Sequence, residues 1–228
     1  MLGKWGRTAL ELLFPEPPGC AFCQSPLPRE TDVLCSRCWE AFPLLTGGLI
    51  RPWPLFPWGK VGALGYYQGN LKEQIRRLKF GGQRQLGESF GRLLAGVVLE
   101  DGDLRSCQLI TWIPVHGQRL MTRGYDQSYL IAQGLSKQLS RRLTAGVLER
   151  IRPTAPQAQL VGRQRWENVA GAFRGLDVVP LKGKRILLID DVLTTGATGY
   201  HAAQALLEAG AAAVNLCVLA ISEQTDRG

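Results

Sequence analysis

At 228 residues and 25.1 kDa, the chain has room for one full-sized domain and a small attachment. Its 45% hydrophobic and 20% charged residues are ordinary globular values, which excludes disorder, a collagen-like chain or a disulfide miniprotein as descriptions of the whole. The net charge of +8 rests on twenty arginines and seven lysines; between Arg105 and Arg185 fourteen basic residues outnumber four acidic ones, a field that draws a polyanion or a phosphorylated ligand.

Residues 1–13 mix Lys4 and Arg7 with apolar side chains, then meet Glu11, Glu16 and prolines where a secretory signal needs a longer apolar core. No apolar run reaches eighteen residues, so the expectation is a cytoplasmic chain without a transmembrane helix. Cys20, Cys23, Cys35 and Cys38 follow as two C-x2-C pairs separated by eleven residues. Each pair offers two thiolates from one tight turn, and Gly19, Pro26 and Pro28 suit such turns. Four soft ligands point to tetrahedral zinc, and with no coordination position left open the metal is structural. Two disulfides or an iron–sulfur centre are the alternatives. Cys107 and Cys217 border or lie in apolar runs and are expected in the core.

Prolines 52, 54 and 57 forbid a helix in the Trp- and Pro-rich stretch 43–60, which reads as a linker. Trp53, Phe56 and Trp58 are expected to pack the zinc module onto its neighbour, or else to stack on bases. This gives three parts: the N-terminal segment with its cysteine module (1–42), the linker (43–60) and the main domain (61–228).

Within the main domain, 61–67 reads as a strand. Residues 69–80 form a helix with Leu71, Ile75 and Leu78 on its apolar face and Lys72, Arg76 and Lys79 around the other, ended by Gly81-Gly82. A second helix spans 86–99, a strand 109–115, and a long helix 125–143 with Leu130, Leu135 and Leu139 inward. The arginine- and proline-rich stretch 150–168 has no period and reads as an irregular lid, with a short strand at 170–173. A buried strand at 186–189, a loop of small residues, a helix through 202–208 and a strand at 214–221 make a βαβ unit. A mostly parallel α/β sheet with flanking helices follows.

The sharpest motif is Ile186-Leu187-Leu188-Ile189-Asp190-Asp191-Val192-Leu193-Thr194-Thr195-Gly196-Ala197-Thr198. Two carboxylates stand at the carboxyl end of a buried strand, where open α/β sheets bind ligands. The turn that follows offers three threonine hydroxyls and the free N–H groups of a helix start, with Gly196 permitting close backbone approach to a phosphate. It is neither a Walker loop nor a dinucleotide fingerprint. Amides for phosphate and acids for hydroxyls suit a ligand carrying a terminal phosphate beside a diol.

This stretch resembles the 5-phosphoribosyl-1-diphosphate (PRPP) signature of type I phosphoribosyltransferases. With the front cysteines, it resembles the ComF family, competence protein F and its relatives. The likeness runs from Cys20 to about Leu219 and takes in Leu78-Lys79-Phe80, His116, Arg119, Arg123-Gly124-Tyr125, Gln127, Arg150 and Asn168. The resemblance implies that Thr194, Thr195, Gly196, Ala197 and Thr198 hold the ribose 5-phosphate while Asp190 and Asp191 bind the ribose hydroxyls. Arg119 and Arg123 would serve the pyrophosphate, with magnesium accompanying PRPP, and Gln157, Arg163, Arg165 and Asn168 would close over the site. His116 would bind diphosphate, move a proton or cap a turn. Asp126, where the family more often has asparagine, would bind magnesium or pair with Arg123; Gly117, where proline is common, loosens the turn after His116.

The implied activity is a magnesium-dependent phosphoribosyl transfer to an acceptor the sequence leaves open. The family also implies a role in natural transformation, with single-stranded DNA and DNA-uptake or recombination proteins as partners. A non-catalytic nucleic-acid-binding protein and a PRPP-sensing regulator are the competing readings.

Overall fold

The computed structural model describes residues 19–28, 33–42, 51–52, 59–154, 163–176 and 181–222. The chain divides into two compact units, Met1–Ala41 and Phe42–Gly228. In the first, Gly19 bridges Pro26 and the Cys20 N–H donates to the Ser25 carbonyl at 2.7 Å, with Gln24 closing the turn at φ +63°. Cys35 opens the short helix α1 (Ser36–Glu40), which carries Cys38 on its buried side. Of the expected linker, residues 43–50 and 53–58, with Trp53, Phe56 and Trp58, lie outside the described residues.

The second unit is built on a five-stranded sheet. Its strands are β1 (Arg51–Pro52), β2 (Lys60–Tyr66), β3 (Leu109–Trp112), β6 (Arg185–Leu193) and β7 (Ala213–Ile221), in the spatial order β1-β2-β7-β6-β3. Every pairing is parallel except that of the two-residue edge strand β1, where a proline is tolerated because no further strand needs its missing donor. Ile186–Ile189 are fully buried on both faces, as a continuous apolar run in a parallel sheet requires. Ile186 and Leu188 join the core beneath helix α8 (Ala197–Glu208), whose Ala202, Ala203 and Leu206 are also buried.

Helices α2 (Gly69–Phe80), α3 (Gln85–Glu100), α4 (Gly102–Arg105), α5 (Gly117–Arg123) and α6 (Gln127–Leu139) complete the first half of the unit. Helix α3 packs on β2 and β7, and α6 packs on β3 and β6. The two helices touch backbone to backbone: a Cβ on Gly91 would sit 2.4 Å from the Ile131 carbonyl oxygen, and one on Gly134 2.5 Å from that of Glu88. A separate antiparallel pair, β4 (Leu148–Arg150) and β5 (Phe173–Gly175), joined in sequence through helix α7 (Arg163–Val169), docks on α8.

Several sequence expectations need adjusting. The strand of the acidic motif does not end at Ile189; it runs to Leu193, so both aspartates lie inside β6 and are held by its ladder to β7. The helix expected over 125–143 is α6, shortened at both ends. Asp126 caps its start and Ser140, at φ +50°, turns the chain out of it. Its buried face is Ile131, Ala132 and Leu135, while Leu130 and Leu139 are only half-buried. The stretch expected to be irregular holds α7, whose Trp166 meets the Tyr200 ring at 5.3 Å, and the short strand expected at 170–173 is β5, at Phe173–Gly175, paired with β4.

Candidate functional site

The four cysteine sulfurs lie within 4.8 Å of one another, with Cys23 and Cys35 Sγ at 3.6 Å. Sulfurs about 2.3 Å from a tetrahedral centre stand roughly 3.8 Å apart, so the cluster fits one zinc ion. All six cysteines are free thiols. Cys107 and Cys217 are buried in the main unit, as expected, with Asn215 Nδ2 donating to Cys107 Sγ at 3.3 Å.

A second site opens within the main unit at the carboxyl ends of the strands, as a cleft of about 770 Å³. Asp190 and Asp191 line it. Arg119, Arg123 and Arg150 line it, as do Thr194, Thr198, Lys79, Gln127, Tyr67 and Phe80. The cations come from three elements: Lys79 from the last turn of α2, Arg119 and Arg123 from α5, and Arg150 from β4.

The two acids are wired differently. Asp191 accepts from Lys79 Nζ on Oδ1 and from Gln127 Nε2 on Oδ2, both at 2.8 Å, and Gln127 in turn accepts from Arg123 Nη1. Asp190 Oδ1 accepts from Ser128 Oγ at 3.0 Å and from the Asp191 N–H at 2.9 Å, while its Oδ2 has no partner among the described residues. Burial, and then the neighbouring Asp191 carboxylate, push the Asp190 carboxyl up to about 7.

The cations carry the mirror-image stress. Burial lowers the Arg150 guanidinium to about 10, and the nearby Arg119 adds to the effect. Arg150 rests 5.2 Å from the Phe173 ring centroid and donates to Thr154 Oγ1, yet its buried Nε has no partner among the described residues. Arg119 Nη2 donates to the Thr154 carbonyl at 3.0 Å, and burial followed by Arg123 lowers its guanidinium. Crowded, desolvated cations facing a cleft are stabilised by an anion. Beside them Gly196 takes the left-handed conformation at φ +82° and starts α8, and the buried Thr195 Oγ1 is also without a described partner.

Residues 126–227 match the phosphoribosyl transferase domain family. The DNA utilization protein YhgH of Escherichia coli (strain K12) is 34% identical over 224 residues, covering 96% of this chain and 91% of that protein. Competence protein F of Haemophilus influenzae is 27% identical over 88% of this chain and 96% of its own length. Competence protein ComFC of Bacillus subtilis is 25% identical over 90% and 84% respectively. This chain belongs to the ComF family. The main unit of this ComF protein is therefore a type I phosphoribosyltransferase domain, a parallel sheet with flanking helices.

The cleft gathers six of the sequence-derived site residues, Asp190, Asp191, Thr194, Thr198, Arg119 and Arg123. Thr195, Gly196 and Ala197 stand in the adjoining turn and do not line the cleft itself. Asp126 has neither expected role. Its Oδ1 caps α6 through the N–H groups of Ser128 and Tyr129, and its Oδ2 accepts from the Val115 N–H and Trp112 Nε1. Four donors saturate the carboxylate, so it is a buried structural clamp. His116 caps α5, accepting from the Gln118 N–H at 3.3 Å. Gln157 lies outside the described residues, as do the side chains of Arg163 and Arg165; the Asn168 carbonyl accepts from Arg152 Nη2 at 3.1 Å.

Sequence reasoning names Lys79, Gln127 and Arg150 only within the family likeness, without a role in the site, and does not name Ser128. Lys79 sits on the polar side of its helix, where a solvated lysine is the ordinary expectation, but its side chain is only 19% exposed and pairs with Asp191. The run of Arg150 into Pro153 and Thr154 marks a functional stretch without naming the residue. Nothing in the local pattern puts Gln127 or Ser128 beside acids more than sixty positions away.

Proposed function

We propose that this ComF protein binds PRPP in the cleft and either transfers its phosphoribosyl group or responds to it, in the service of natural transformation. The observation that carries the reading is the convergence of an acidic strand end, three arginines and a threonine-rich helix start on one cleft. In this reading the hydroxyls of Thr194 and Thr198 and the N–H groups opening α8 hold the 5-phosphate. Asp190 and Asp191 restrain the ribose through its hydroxyls, and Arg119, Arg123 and Arg150 neutralise the diphosphate as it departs. The open oxygen of Asp190 and the neighbouring acid suit magnesium arriving with PRPP, which supplies Lewis-acid charge to the leaving group.

The names of the relatives, DNA utilization protein and competence protein, support a role in DNA use and competence; the proposed substrate there is incoming single-stranded DNA, handled in the cytoplasm. The cysteine cluster is proposed to hold a structural zinc in a module over residues 1–42, linked through 43–60 to the phosphoribosyltransferase domain at 61–228. DNA-uptake or recombination proteins are the proposed partners. No helix among the described residues is long and apolar enough to cross a membrane.

The competing reading is a PRPP sensor without turnover, which would use the same cleft. Pyrophosphate release from PRPP and magnesium, followed across a panel of nucleobases and short single strands, separates the two. Release with one acceptor assigns a transferase, and saturable PRPP binding with no release assigns a sensor. Single-strand binding with no PRPP binding overturns both.

A further inference from the structure

The cleft brings together cations, acids and aromatic rings. On the β3 side stand the cations Arg119 and Arg123, and the acids of β6 occupy the middle. Two aromatic rings, Tyr67 just after β2 and Phe80 at the end of α2, also line it. Phe80 is 75% exposed, whereas every other phenylalanine among the described residues is at most 8% exposed. The helix explains how this arises: Leu71, Ile75 and Leu78 use up the buried face, and Gly81 ends the helix before another turn can cover position 80.

Phe80 is bare, yet its backbone is tightly held. Its neighbour Lys79 is ion-paired to Asp191 at 2.8 Å, and the Leu78 carbonyl accepts from the Tyr125 hydroxyl. The Arg123 guanidinium stands 5.2 Å from the Phe80 ring centroid, and Lys72 Nζ 5.7 Å from that of Tyr67. A fixed aromatic face beside cations is how proteins hold an unpaired base whose backbone is anionic: the ring stacks while the charge is neutralised.

We propose that Phe80, in the cleft that Tyr67 also lines, is a stacking platform for a planar heteroaromatic ring, which in the PRPP reading is the acceptor. The assignment of the subsite to an acceptor rests on the PRPP reading; the stacking itself does not. The ring class is a nucleobase, free or carried on a single strand.

Full-length wild type, Phe80→Ala and Phe80→Trp, matched by circular dichroism, are titrated with a short oligothymidylate and with an abasic strand of the same length and charge. Free nucleosides are followed in parallel by saturation-transfer NMR. Wild type and Phe80→Trp should prefer the base-bearing strand by about fivefold or more, and Phe80→Ala should lose the preference. A nucleoside saturation-transfer signal that disappears in Phe80→Ala, with no preference between strands in wild type, assigns the free base as the source. A base preference that survives Phe80→Ala, or no base-dependent binding of strand or nucleoside in wild type, overturns the proposal. A PRPP titration of wild type in the same buffer keeps the two ideas apart. Failure there removes the acceptor role and leaves the stacking result standing.

Discussion

Asp190 and Asp191 are adjacent in β6, but the protein treats them unequally. Asp191 is balanced by Lys79 and Gln127, so Asp191→Asn removes the counter-charge of a mostly buried ammonium and should cost about 1–3 kcal/mol of stability. Asp190 is the opposite case, because its folded carboxyl titrates near 7, above the ordinary carboxylate value of 3.8. The native state therefore holds a proton between those values that the unfolded chain has released, and the contribution of this residue to stability falls as pH rises from about 4 to 7. Thermal melts across that window should show Asp190→Asn gaining on wild type as pH rises and equalling or exceeding it near pH 8. A stability difference that does not change with pH would mean that Asp190 is ionised throughout.

At the level of elements, the close crossing of α3 and α6 positions the cleft, because α6 carries Gln127 and Ser128 to the acids and follows directly from α5 with its arginines. Gly91→Ala would drive a methyl group into the Ile131 carbonyl and should destabilise the protein by about 3 kcal/mol. Such a loss lowers the melting temperature by roughly 6–12 °C for a domain of this size. Gly96→Ala on the same helix, where a Cβ meets nothing within 4 Å, should be neutral or stabilising and serves as the control. The sequence announces elements whose period and boundaries are local. The helix at 69–80 is readable from Leu71, Ile75, Leu78 and the glycines that stop it, and the strand at 186–189 from its unbroken apolar run. Strand β4, α7 and the cap at Asp126 are not, because each depends on a partner distant in sequence or on a side chain with several local options. The site divides the same way: the acids and threonines of one loop form a motif, while Lys79, Gln127 and Arg150 reach the cleft only through tertiary packing.

For the molecule as a whole, the two compact units imply two separable stabilities. The purified protein should contain about one zinc per chain, and Cys20→Ser, Cys23→Ser, Cys35→Ser or Cys38→Ser should each unfold or loosen the front unit, since metal binding supplies its folding energy. Phosphate binding at Thr194 and Thr198 should survive chelation. Metal analysis finding iron or no stoichiometric metal would contradict the zinc assignment. The central claim is that the cleft is a PRPP site whose ribose end is Asp190 and Asp191, and calorimetric titration with PRPP and magnesium tests it most directly. Wild type should bind saturably, Asp190→Asn about tenfold or more weakly while keeping its circular dichroism, and Thr198→Val more weakly than wild type but less severely, since the backbone N–H groups remain. A folded Asp190→Asn variant that binds PRPP as wild type does would contradict the account.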